Sequence, residues 1–402
     1  MTGRTTRWPF RRIAFALAVT AFGAGVPTPL YPVYRSEMHL SAGVLALVFG
    51  AYSVGVLATM FFVAPLSDRV GRRPILYVGL VLTGVSGILF LVASGAAGLA
   101  LARFVSGLAV GATTSTATAA MASLEPRNDQ HHVARVAVAA NFGGVGIGIL
   151  LSGTLVEYLW APTQLIYLVL ALASMGGIVA IALTPETVPH PVAASELKRP
   201  RIEVPRTIRG PFWISVGALS ACYAIYGLFA ALAPSYLRTD LGVANHALSG
   251  AVVALMFGAA AIAQLALGQV RDRDALLVGF PLLVVALALF VVALPLNSLA
   301  LLTVAAGLLG VAIGFAFMGA VTLIDRVCPS EMRGGVLSGF YLSGYLALSI
   351  PTLGVAVAAD AIGLPAAGVA FGMVLGTTTA VLAWITWRTP TPPGGEGRPR
   401  GA

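Results

Sequence analysis

The chain has 402 residues, of which 58% are hydrophobic and only 10% charged, and its mean hydropathy is +0.91. Globular proteins carry roughly a quarter charged residues, so this composition excludes a soluble domain and points to a polytopic membrane protein. The formal charge of +9 comes from basic residues scattered singly through short loops, which argues against nucleic acid as a partner.

Apolar runs long enough to cross roughly 30 Å of hydrocarbon as helices recur along the chain. They predict twelve spans, at about 13–33, 43–65, 74–93, 97–124, 135–157, 162–184, 211–234, 248–270, 275–294, 298–326, 334–359 and 364–387. The runs are continuous rather than alternating, which favours helices over barrel strands. Arg11-Arg12 before the first run imitates a secretory signal, but an internal repeat pairs that run with the seventh, so it is kept as mature structure. Between the second and third runs lies Ala64-Pro65-Leu66-Ser67-Asp68-Arg69-Val70-Gly71-Arg72-Arg73, a tight charged turn that belongs at a membrane surface. Twenty-one Lys and Arg side chains fall on the side of the termini, Arg35 and Arg238 fall on the other, and Arg103 lies within a span. The positive-inside rule then predicts cytoplasmic termini and a cytoplasmic charged turn. A single lysine, Lys198, against 23 arginines suggests a GC-rich bacterial genome, hence a bacterial inner membrane.

The longest connection, 185–210, holds Pro185, Pro189, Pro191, Pro200 and Pro205, with basic residues crowded into its second half, and reads as a cytosolic linker. It separates an N-terminal six-span half, 1–184, from a C-terminal half, 211–390, which a cytoplasmic tail, 391–402, follows. The halves look alike. At an offset of 203, Gly107, Gly111, Pro126, Glu157 and Pro162 fall on Gly310, Gly314, Pro329, Asp360 and Pro365. Near 204 to 205, Asp68-Arg69 falls on Asp272-Arg273, and Pro29 and Tyr31 fall on Pro234 and Tyr236. Two halves of like orientation imply an all-α integral membrane fold built as a parallel repeat about the membrane normal.

Enzyme chemistry finds no foothold. With Lys198 the sole lysine there is no Gly-Lys-Ser/Thr phosphate loop, and Gly143-Gly144-Val145-Gly146-Ile147-Gly148 lacks nucleotide-binding spacing and lies in a span. His39, His131, His132, His190 and His246 show no metal-ligand spacing, and Cys222 and Cys328 imply no disulfide framework. No metal, cofactor or catalytic constellation is expected. Arg103, a permanent charge within a span, must face a cavity, water or a partner; the bland alternative is a structural hydrogen bond to a nearby carbonyl. Its helical face continues through Gly107, Gly111, Thr114 and Thr118, a small polar strip. In the fifth span Asn141, Gly144, Gly148 and Ser152 predict a packing seam, while Pro27, Pro29 and Pro234 predict helix breaks near the outer face. Tyr31, Tyr52, Tyr223, Tyr226, Phe315, Phe317, Tyr341 and Tyr345, with Asn141 and Gln264, are candidate walls of a largely apolar cavity. Such a cavity suits an amphipathic organic molecule better than a sugar, which needs many hydrogen-bond partners. No acid lies mid-span: Glu157 and Asp360 mark outer ends, and Asp325, about one turn from the inner end of the tenth span, is the candidate proton carrier.

These residues resemble the major facilitator superfamily over the whole chain. The charged turn is similar to that family's loop signature Gly-x-Leu-x-Asp-Arg-x-Gly-Arg-Arg, matched at Leu66, Asp68, Arg69, Gly71, Arg72 and Arg73, with Ala64 for the leading glycine. Gly268, Asp272 and Arg273 resemble its degenerate second copy, and Pro329, Glu331, Arg333 and Gly334 the usual entry to span eleven. Arg103 with Gly107 and Gly111 resembles the family's fourth-span arginine motif, associated with proton coupling. The fifth-span antiporter signature appears as Gly144, Gly148, Ile149, Ser152 and Gly153, with its proline missing and one glycine replaced by serine. The resemblance implies that Asp68 latches the halves by facing the helix start near Gly334; the alternative is plain anchoring by Arg69, Arg72 and Arg73. The chain is thus expected to be a monomeric secondary transporter, exporting small amphipathic compounds in exchange for protons by alternating access. The rival readings are a proton-coupled metabolite importer and a non-transporting membrane sensor.

Overall fold

Long apolar runs fold as helices because in hydrocarbon every backbone N–H and C=O must be paired within its own segment. The computed structural model describes residues 7–62, 70–125, 129–161, 163–188, 204–231, 233–266, 270, 272–328 and 332–389. Among these, twelve helices are long and apolar enough to cross a membrane: Arg7–Glu37, Gly43–Met60, Arg72–Val92, Ala96–Leu124, Gln130–Tyr158, Gln164–Ala182, Arg206–Ala231, His246–Ala266, Arg273–Ala293, Leu299–Val327, Gly335–Ile362 and Leu364–Arg388. They are numbered below as spans one to twelve. Both ends of the described chain lie on one face, called here the terminal face.

Proline sets the breaks. Span one is a helix over Arg7–Gly25, a single tight turn over Thr28–Leu30 and a second helix over Tyr31–Glu37, because Pro27, Pro29 and Pro32 lack the N–H that would continue it. The chain after span seven likewise resumes as a short helix, Ala233–Thr239, with Pro234 in its first turn.

Spans one to six pack on one another, and spans seven to twelve repeat the same pairings: one on five and seven on eleven, two on four and eight on ten, three on six and nine on twelve. The repeat reaches atomic detail. A side-chain carbon at Gly107 would collide with the Tyr52 carbonyl of span two, and one at Gly310 with the Met256 carbonyl of span eight. Both glycines let a helix pair cross at backbone contact. The halves meet where span five packs along span eight and span two along span eleven.

In one place the repeat runs in a different register from that read in the sequence. Spans three and nine match at an offset of 200, showing the same alternation of buried and exposed positions from 73 to 90 and from 273 to 290. Asp272-Arg273, which open the helix of span nine, therefore stand at the helix positions of Arg72-Arg73, while Asp68-Arg69, with which the sequence repeat pairs them, lie outside the described residues.

Candidate functional site

A charged side chain at mid-membrane costs about 2.5–3.5 kcal/mol on insertion scales, so its surroundings must compensate. Arg103, in span four, is 2% exposed. Its Nε donates to the Tyr31 hydroxyl at 2.6 Å and its Nη1 to the Ala24 carbonyl at 2.9 Å. Ala24 is in the last turn of the helix that stops at Gly25, so its carbonyl is one the helix does not satisfy itself. The proline break thus creates the acceptor that holds the arginine. The guanidinium lies within 5.2–5.9 Å of the ring centres of Tyr31, Phe49, Phe90 and Tyr52. Behind them Tyr34, Phe90 and Tyr167 stack, with the two tyrosine hydroxyls 2.7 Å apart. Arg103 takes part in no ion pair among the described residues, and its Nη2 is buried without a hydrogen-bond partner.

Arg103 forms part of the wall of a central cavity of about 80 Å³ where the two halves meet. The N-terminal half contributes Thr28, Phe49, Tyr52, Asn141 and Phe142, and the C-terminal half Tyr223, Tyr226, Phe257, Tyr345 and Leu348. The rings interlock across the seam, with Phe142 and Phe257 lying 4.9 and 4.7 Å from Tyr226. Close by, Ser349 Oγ and Ser53 Oγ share a 2.6 Å hydrogen bond between spans eleven and two. Among the described residues, Arg103 is the one charged side chain on the cavity wall.

Of the residues expected at this site, Tyr52, Arg103, Asn141, Tyr223, Tyr226 and Tyr345 come together on the wall, and Tyr31 stands behind as the arginine's partner. Others lie elsewhere. Gln264 is fully buried and donates to the Gly314 carbonyl at 2.6 Å, tying span eight to span ten. Phe315 is off the wall; two residues on, about 200° around the helix, Phe317 packs against Phe142 and Tyr223 instead. Tyr341 packs on Phe340, Thr114 is half-buried off the lining, and Asp325 is half-buried near the end of span ten. Phe49, Phe142 and Phe257 are missed by the sequence reading because an isolated aromatic in a span carries no periodic signal. Gly144 and Gly148 press on the Ala18 and Phe22 carbonyls of span one, and Ser152 donates to Val26 O at 2.7 Å, so this stripe is a seam inside the first half.

Asp68 and Arg69 of the charged turn lie outside the described residues, as does Gly268, and the side chain of Asp272 is likewise not described. Gly71 has φ +99°, a conformation that glycine adopts freely, and span three starts directly after it. Arg72 donates to Ala119 O at 2.9 Å, and Arg73 to Ala182 O at 3.0 Å, so both arginines fasten span three to spans four and six of the same half. Arg273 reaches Trp387 O and Thr389 O, both at 3.3 Å, in the matching place of the second half.

Glu186, which the sequence reading passes over as part of the linker, completes this corner. Its carboxylate accepts the backbone N–H groups of Arg72 and Arg73, each at 3.0 Å, where the first turn of span three has free donors. Partial shielding pushes its carboxyl up, but the N–H groups of Arg73, Arg72, Val188 and Thr187 outweigh that and hold it below the ordinary carboxylate range. A lowered folded value means that the stabilisation is present above the unfolded carboxylate pKa and is lost as pH falls through the folded one. Glu186→Gln is expected to destabilise the protein by about 0.5–1 kcal/mol at neutral pH, allowing for solvent screening. In thermal-unfolding series the difference from wild type should vanish as the pH drops below the carboxylate range; a difference constant with pH would assign the loss to shape alone.

On the face opposite the termini, span five and span eight are clasped. Glu157 Oε2 accepts from His246 N at 2.8 Å and from His246 Nδ1 at 3.0 Å, and Arg238 Nη1 lies 2.9 Å from His246 Nε2. Since arginine only donates, Nε2 is the acceptor and Nδ1 carries the proton. Asn245 adds a 3.2 Å bond to Tyr158.

The comparisons with known proteins agree with this geometry. The chain is 27% identical over 129 residues to the quinolone resistance protein NorA of Staphylococcus aureus (strain COL), a stretch covering 32% of this chain and 31% of that protein. The chain therefore matches about a third of that relative's length. It is 25% identical over 178 residues to the uncharacterized MFS-type transporter YceJ of Bacillus subtilis, covering 42% of this chain and 45% of the relative. The crystal structure of the human organic anion transporter MFSD10 (TETRAN) has the same fold, with a TM-score of 0.72 at 16% identity, covering 95% of this chain and 99% of that one. The sequence profile of the Major Facilitator Superfamily matches residues 13–352, and with twelve spans in two like halves this chain belongs to that superfamily.

Proposed function

We propose that this chain is a secondary transporter of a bacterial inner membrane that exports small amphipathic organic compounds in exchange for protons, as a monomer with both termini in the cytoplasm. The observation that carries the reading is the ring-walled cavity with a single buried cation at the junction of the halves. A cavity reached alternately from the two faces by rocking of the halves is how such folds move solutes. The name of the quinolone resistance relative supports the outward direction, and the excess of basic residues on the terminal face supports the orientation. Asp325 is the proposed proton carrier. Asp68, Arg69, Gly71, Arg72, Arg73, Asp272 and Arg273 are the proposed gating corner of the terminal face.

Everted vesicles with an acidified lumen test this reading. Export by antiport predicts that adding substrate outside releases protons from the lumen. A proton-coupled importer, the rival reading favoured by the missing antiporter proline at Ile149, would leave the lumen acid. Purified protein in liposomes that moves no solute under any imposed gradient would overturn both in favour of a sensor.

A further inference from the structure

We propose that the central cavity selects aromatic acids, with the ligand's anionic group seated on Nη2 of Arg103. The inference rests on reading the cavity as the site of the transported molecule, and it adds the ligand's charge.

Three observations converge on it. First, the guanidinium is almost completely buried, two of its three nitrogens are committed to Tyr31 and Ala24, and the third has no acceptor among the described residues. A buried charged donor left unmade is expensive, and an acceptor with full negative charge repays most. Second, no carboxylate among the described residues balances it: the wall they form holds no Asp or Glu, and both protein acceptors are neutral oxygens. In a low-dielectric cavity this uncompensated cation repels a cationic ligand and attracts an anionic one. Third, the remaining wall is largely rings, and one of them, Tyr226, has a hydroxyl that is also buried without a partner among the described residues. Flat aromatic bodies stack on such surfaces, and a second unused donor suits an acid with further oxygen acceptors.

The cation also sits where an anion would be held firmly. Its Nε and Nη1 fix the plane of the guanidinium, so Nη2 is pre-oriented and little side-chain freedom remains to be lost on binding.

The test is equilibrium binding of three probes of one shape to the purified full chain in nanodiscs: naphthoate, naphthamide and naphthylmethylammonium. The expected result is that naphthoate binds at least about tenfold more tightly than the amide and that the ammonium does not compete. In Arg103→Gln the ratio of acid to amide affinity should fall to about one. Equal binding of acid and amide by wild type, tighter binding of the ammonium, or no binding of any probe overturns the proposal. So does a ratio that survives in Arg103→Gln. Should that variant fail to fold, the wild-type ratio alone decides, and Tyr226→Phe should lower the affinity for the acid without reversing the order. Because no gradient is imposed, a chain that binds acids yet moves nothing would sink the transport reading while leaving this one standing, and the reverse outcome separates them equally.

Discussion

Replacing Arg103 by alanine is expected to reduce transport at least about a hundredfold in vesicles matched for inserted protein. The change removes two charged hydrogen bonds, each worth roughly 1.5–3 kcal/mol, and the cation itself. It also leaves the Tyr31 hydroxyl without its 2.6 Å partner in an apolar setting. Arg103→Lys separates charge from shape: a lysine ammonium keeps the charge but does not reach Tyr31 and Ala24 in the same flat fork. The lysine variant should therefore retain part of the activity, and the alanine variant none above background. Full transport by a well-inserted Arg103→Ala protein would reduce the arginine to a packing element.

The second large effect concerns the helix crossings. Gly107→Ala and Gly310→Ala each place a methyl against a backbone carbonyl, which has no rotamer with which to move aside. Each is expected to cost roughly 1–3 kcal/mol, read as a lowered thermal midpoint, as spans two and four or eight and ten are pushed apart. Gly258→Ala is the control, since no atom stands within 4 Å of the added carbon and alanine favours the helix. Equal losses at Gly107 and Gly310 with none at Gly258 would confirm that the halves repeat their crossings in detail. A harmless Gly107→Ala would mean that the pair has slack.

Much of this was legible in the sequence, for physical reasons. Hydropathy alone yields the spans, since lipid leaves the backbone few alternatives, and the glycine spacing at 107, 111, 310 and 314 betrays the repeat because close crossings admit no other residue. Arg103 stands out because a charge in hydrocarbon is rare. The cavity is less legible. Whether Phe315 or Phe317 faces inward depends on helix phase, and both sit in a long apolar run where no polar residue marks the inward face. Glu186 was hidden for another reason: its partners are backbone N–H groups, which leave no trace in side-chain patterns.

The shift in register between the halves has a further meaning. From span two to span eight the match runs at an offset of 204, as Tyr52 and Met256 show, while from span three to span nine it runs at 200. The second half is therefore four residues shorter across this stretch, and those residues correspond to part of the charged turn. From span four to span ten the offset returns to 203, so three residues come back in the hairpin before span ten. The two halves thus share their helix crossings but not the length of these two hairpins.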